Sequence, residues 1–150
     1  MASPRRQGRE VALQILCAVD GNPDFGASAA LGFYAAQIAG TEDEEAGLPS
    51  QTAYDRHFAE SLIAVATDKR AEIDDAITKV SRTWRLDRMA RVDRNILRLA
   101  VAEFLFFPEI PARVSINEAV ELAKRYGAAE SPAFVNGLLD SALKALELRK

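Results

Sequence analysis

The thirty residues from Val114 to Leu143, VSINEAVELAKRYGAAESPAFVNGLLDSAL, constrain the fold more than any other part of this chain. Ser115 followed by Glu118 predicts a capping box, in which each side chain satisfies a backbone donor at a helix start. Ile116, Ala119, Val120, Ala123 and Tyr126 recur at the spacing of one helical face, and Gly127 predicts the stop. Ser131 with Pro132 opens another helix, since proline is well tolerated at the first helical position. A start, a stop and a second start in one uninterrupted block predict two consecutive helices.

The same period runs through most of the chain, and no strand-turn-strand pattern interrupts it. Val11, Ala12, Ile15, Leu16 and Val19 share a face from about Arg9 to Asp20, and Gly21, Asn22 and Pro23 end it by turn chemistry. An alanine-rich helix is expected from Phe25 to Ile38, then an acidic loop over 40–51 holding Glu42, Asp43, Glu44 and Glu45. Phe58, Leu62, Ile63 and Ala66 predict a helix over Thr52–Thr67, and Ile73, Ile77 and Val80 predict one that starts near Asp68. Leu86 to Phe107 reads as one long helix that ends at Pro108 and Pro111. The expectation is an all-α chain of about seven helices forming a single domain over 1–150, with 1–8 as a flexible basic arm.

At 150 residues, with 49% hydrophobic and 27% charged residues, the chain can bury a core and does not have a disordered composition. Cys17 is the only cysteine and His57 the only histidine, so neither a disulfide nor a cysteine or histidine metal cluster is expected. No phosphate-cradling glycine loop and no cysteine-histidine couple with credible context occurs. The chain therefore reads as a binding module with no catalytic residues and no cofactor. Gln14 and Asp20 interrupt the first apolar run, which excludes a signal peptide reading, and no run approaches membrane-spanning length. A cytoplasmic location is expected.

The net charge of −3 makes any basic cluster local. At 100° per residue, Arg88, Arg91, Arg94 and Arg98 fall on one arc of the long helix, opposite Met89, Val92, Ile96, Ala100, Phe104 and Phe107. Arg82 and Arg85 extend the positive region upstream. Arginine's planar fork suits phosphates and base edges. Arg5, Arg6 and Arg9 form a second cluster, suited to following a nucleic-acid backbone. Asp93 falls among apolar positions, where a carboxylate needs a donor or a solvent-facing gap. Glu103 has Leu99, Ala100 and Phe107 as helical neighbours and reads as a buried carboxylate capping another helix. Phe134 sits at the margin of the apolar face made by Val135, Leu138, Leu139, Ala142 and Leu146, beside Glu130. It is either a core lid or a ring on which an unpaired base stacks. Asn136 and Gly137 read as structural, the glycine permitting close helix approach.

The text INEAVELAK…FVNGLLD, with RRQGREVALQIL and VDRNILRLAVAEFL, resembles the NusB family, bacterial transcription antitermination factors that bind RNA. The resemblance covers the first helix and nearly everything from Tyr54 to Leu143, and is weakest from Gly21 to Thr52. It implies a fold of two small helical bundles packed together. It also implies binding of the single-stranded boxA RNA of ribosomal RNA operon transcripts, together with the ribosomal protein NusE, in an elongation complex with other Nus factors. On that resemblance Arg5, Arg6, Arg9, Arg91 and Arg94 hold the RNA backbone, Phe134 adds a base contact, and Asp93 and Glu130 lie on the surface facing RNA or the partner. Cys17 departs from the family, which typically carries a tyrosine there. Two alternatives remain: an accessory domain of the kind found in some ribosomal RNA methyltransferases, and a purely protein-binding helical adaptor.

Overall fold

The computed structural model describes residues 3–22, 26 and 55–148, so the expected helix over Phe25–Ile38 and the acidic loop lie outside the described residues. Every regular element among the described residues is helical. The helices are α1 (Pro4–Gly21), α2 (Arg56–Asp68), α3 (Arg70–Val80), α4 (Arg91–Phe106), α5 (Ala112–Tyr126) and α6 (Ser131–Leu148), with a 3-10 turn at Leu86–Arg88. The chain divides into two compact units, Met1–Ala64 and Val65–Lys150.

In the first unit, α1 begins earlier than the sequence suggests. The Ser3 side chain accepts the Arg6 N–H at 3.1 Å and Pro4 takes the first helical position. Both are stabilising start features, so residues 4–8 are helix and the expected flexible arm is corrected. The start of α1 is tied to the segment before α2, where the Asp55 N–H donates to the Pro4 carbonyl at 2.9 Å. Asp55 also caps α2, its carboxylate accepting the Phe58 N–H at 2.9 Å. Gly8 belongs to this approach: a Cβ there would lie 3.1 Å from the Asp55 carbonyl oxygen. Val11, Ala12, Ile15 and Leu16 of α1 and Phe58, Ala59, Leu62 and Ile63 of α2 are buried.

The second unit is organised around α4, which packs against α3, α5 and α6. Because neighbours lie on several sides, every residue from Asn95 to Glu103 is buried, and the simple two-faced wheel fails there. Arg98 is the clearest casualty. It is 6% exposed rather than part of an outward basic arc. Its Nε donates to the Asp74 carboxylate of α3 at 2.8 Å and its Nη1 to Asn95 Oδ1 at 3.0 Å. Ile73 and Ile77, Ile96 and Leu97, Ile116, and Val135 and Leu139 are 0–1% exposed and form the apolar centre. Each fully buried side chain of this size contributes about 1.5–3 kcal/mol.

The expected helix from Leu86 to Phe107 is broken. Met89 and Ala90 are extended, with ψ of 152° and 141°, and α4 starts only at Arg91. Arg94 reaches back over the break, its Nη1 donating to the carbonyls of Asp87 at 3.4 Å and Met89 at 3.3 Å. Those carbonyls therefore gain a side-chain donor in place of a helical one, and Met89 gains burial at 7% exposure.

The capping box also fails. Pro111 is the residue before α5, so Ser115 lies inside the helix, 2% exposed. Its hydroxyl donates to Glu103 Oε1 at 2.7 Å. A buried carboxylate needs a donor more than a solvated helix end does. Glu103 is thus buried as expected, but it bonds a side chain of the neighbouring helix. Gly127 and Ser131 mark the α5–α6 corner as anticipated: a Cβ on Gly127 would lie 2.6 Å from Ser131 Cβ and 2.8 Å from the Ala123 carbonyl oxygen. Ser131 Oγ accepts the Ala128 N–H at 2.9 Å. Gly137 is corrected, since a Cβ there would meet nothing within 4 Å.

Candidate nucleic-acid interface

In the second unit, residues far apart in sequence converge. The extended Met89–Ala90 link and the start of α6 bring Arg88, Asp93, Glu130 and Phe134 to one open cleft of about 220 Å³, shared with Trp84. Asp93 is the third residue of α4, where a carboxylate interacts favourably with the positive end of the helix. It is half-buried, and its Oδ1 is buried with no hydrogen-bond partner. Glu130 is exposed, just ahead of α6, and Phe134 is half-buried in its first turn. Half-burial leaves part of the ring available while the rest packs, an intermediate between the two sequence alternatives.

A second cleft of about 180 Å³ is lined by Arg82, Trp84, Phe134, Gly137 and Ser141. Trp84 and Phe134 border both clefts. Trp84 is 53% exposed and belongs to no sequence motif. Its signal was available: it is the only tryptophan, in a polar run with no helical period. The open surface at Gly137 belongs to this second cleft, which explains why the glycine has no packing neighbour.

The remaining basic residues separate into held and outward groups. Arg91 is exposed at the start of α4 and Arg94 is half-buried at the break, but neither lines the first cleft. In the first unit, Arg5 is exposed and Arg6 half-buried, whereas Arg9 is only 4% exposed. The guanidinium carbons of Arg5 and Arg9 lie 4.8 and 5.1 Å from the Phe58 ring centroid. The aromatic face thus attracts both cations and fixes them on α1. Cys17 is half-buried on the same helix. Among the described residues there is no cluster of three or more histidine, cysteine or acidic groups able to hold a metal, and no helix is long and apolar enough to cross a membrane.

Comparison with known proteins places the whole chain. The NusB family model matches residues 6–144. A transcription antitermination protein NusB of Geotalea uraniireducens is 44% identical over 143 residues, covering 92% of each chain. The solved structure of T. maritima NusB superposes with a TM-score of 0.75 at 35% identity, over 96% of this chain and 93% of that one. A complex of the antitermination factors NusB and NusE with double-stranded RNA contains a chain that superposes with a TM-score of 0.77 at 28% identity. That match covers 97% of this chain and 99% of the other.

Proposed function

This chain belongs to the NusB family, and we propose that it acts as a transcription antitermination factor, binding boxA RNA of ribosomal RNA operon transcripts together with NusE. The observation that carries the reading is the convergence of Arg88, Asp93, Glu130 and Phe134 on one cleft in a chain of this family. Cation, acceptors and aromatic ring together match what an unpaired nucleotide offers: a phosphate, base-edge donors and a π face. The two units would serve as one RNA-binding domain in a cytoplasmic elongation complex with other Nus factors, without catalysing a reaction.

Within that reading the residues divide the work. Arg5, Arg6 and Arg91 would meet phosphates. Arg9 and Arg94, held by Phe58 and by backbone carbonyls respectively, would keep those neighbours in place. Phe134 would stack on a base, and Asp93 and Glu130 would face RNA or NusE.

Labelled boxA RNA should bind weakly to this chain alone and more tightly when NusE is added, because joint binding neutralises more phosphate charge than either partner manages. Titration with each protein and with the mixture checks this. Equal affinities in all three titrations would refute joint recognition, and absence of RNA binding in the mixture would replace it with the adaptor reading. A duplex of the same sequence belongs in the experiment. Tighter duplex binding would overturn the preference for single strands, which rests on exposed bases offering edges that duplex RNA hides.

The amino-terminal arginines should respond differently from one another. Arg6→Ala should leave stability near normal and reduce the slope of log affinity against log salt by about 0.7, the value of one lost single-strand phosphate contact. Arg9→Ala should instead cost about 1–2 kcal/mol of stability, because it removes a buried cation from an aromatic face. Thermal melts and salt titrations on both variants distinguish them. An unchanged salt slope for Arg6→Ala would remove that residue from the RNA contact.

A further inference from the structure

We propose that Trp84 is a second base-stacking residue, so that the Trp84–Phe134 pair holds two successive unstacked bases of bound RNA, one in each adjoining cleft. The inference rests on the RNA-binding reading above and extends it to a residue and a cleft that this reading does not use.

Four observations converge on Trp84. The residue is 53% exposed, one of only two exposed large hydrophobic residues among those described. An indole half in solvent leaves a large flat apolar face available to a ligand, more than an exposed leucine would. It borders two open clefts, of about 220 and 180 Å³, and Phe134 borders the same two. Two rings beside paired openings offer two flat apolar faces to a flexible single strand.

The charges around the rings choose nucleic acid over an apolar protein segment. Arg88 lines the first cleft and Arg82 the second, so each opening has its own cation for a backbone phosphate. The carboxylates of Asp93 and Glu130 are confined to the first cleft, where they can accept from base amino groups. The second has no acidic residue in its lining and offers stacking with neutral polar contacts, such as Ser141. The first cleft is therefore the more selective and the second the more sequence-tolerant.

Hydrogen bonds in the loop fix the backbone that carries the indole. Ser81 follows the last residue of α3, and its hydroxyl donates to the Trp84 carbonyl. The next residue, Arg85, accepts the Arg88 N–H through its carbonyl at 2.9 Å, closing the 3-10 turn. Trp84 is thus bracketed by a side-chain turn on one side and a backbone turn on the other. That limits the ordering cost paid on binding.

Trp84 is the only tryptophan in the chain, so its fluorescence reports this position alone. The test titrates end-labelled single-stranded boxA RNA into the full chain with NusE present, reading RNA anisotropy and protein emission together. Indole emission should be quenched in step with the anisotropy. Trp84→Ala and Trp84→Leu should each weaken binding about 5-fold or more, while Trp84→Phe should recover most of the loss, because a ring rather than apolar bulk is required. Circular dichroism melts identify any variant that fails to fold, and the emission result on the unaltered chain does not depend on them. RNA binding with unchanged emission and an unaffected Trp84→Ala would overturn this proposal while leaving RNA recognition intact. Equal binding by the leucine and phenylalanine variants would assign Trp84 to apolar contact and overturn stacking. Weakened NusE binding without RNA would make it a protein contact and overturn the proposal. Absence of RNA binding in the anisotropy would overturn the function itself and this inference with it.

Discussion

Asp74→Ala should lower the melting temperature by about 6–20 °C, equivalent to roughly 3–5 kcal/mol for a chain of this size. The Asp74 carboxylate receives the Arg98 guanidinium through Nε at 2.8 Å and Nη2 at 3.2 Å. The Arg98 side chain is 7% exposed, whereas that of Asp74 is 25% exposed. Removing the carboxylate therefore takes two charge-assisted bonds from the less hydrated partner. Arg98 would keep Asn95 Oδ1 among its acceptors, and a neutral amide offsets a buried cation less well than a carboxylate does. The pair itself contributes little net stability, since burying both charges costs about as much as their attraction returns. It follows that Asp74→Leu combined with Arg98→Met should recover most of the stability lost in the single variant. A loss under about 1 kcal/mol in Asp74→Ala would mean that water reaches Arg98 and that the pair is not a linchpin between α3 and α4.

For Phe134→Ala the larger effect should fall on RNA. Affinity for boxA RNA should drop by about 1–3 kcal/mol, the value of one base–aromatic stack. Truncating a fully buried phenylalanine costs about 3–5 kcal/mol of stability, and a half-buried ring should cost well under that. The melting temperature should thus move little while binding falls sharply. The ring's place on the border of both clefts supports this division. A large thermal loss with intact RNA affinity would make Phe134 a core lid.

The fold was legible wherever one side of a helix meets solvent. The apolar spacing of α2 and α3, the stop at Gly127 and the start at Ser131–Pro132 needed only local rules. Legibility failed where tertiary neighbours changed the local choice. Helical periodicity through Leu86–Phe107 could not reveal the break at Met89–Ala90, because the residue that stabilises it, Arg94, reaches back from the helix beyond. Arg98 looked like a surface cation because the wheel assumes one dry side, whereas α4 is surrounded. Ser115 looked like a cap because Glu103, twelve residues earlier, is invisible to a local motif. At the candidate site, Asp93, Glu130 and Phe134 were named from the resemblance and the structure brings them to one cleft. Trp84 carries only a compositional signal, as the single tryptophan in a polar run, and a lone aromatic outside a periodic run gives no pattern that assigns it a role.

The corner at Gly127 also bears on the order in which the chain acquires structure. α5 and α6 are consecutive and joined by only a few residues, so bringing them together closes a short loop. The Asp74–Arg98 link must close a separation of 24 residues. Short loops close at less entropic cost, which favours pairing of α5 with α6 before α3 docks. Phe134, in the first turn past that corner, would then be seated before α3 docks, and its placement would be inherited from the earliest structure instead of the last packing step. Pulse-labelled hydrogen exchange during refolding should show α5 and α6 amides protected ahead of those in α3, and simultaneous protection would make the unit fold as one indivisible step.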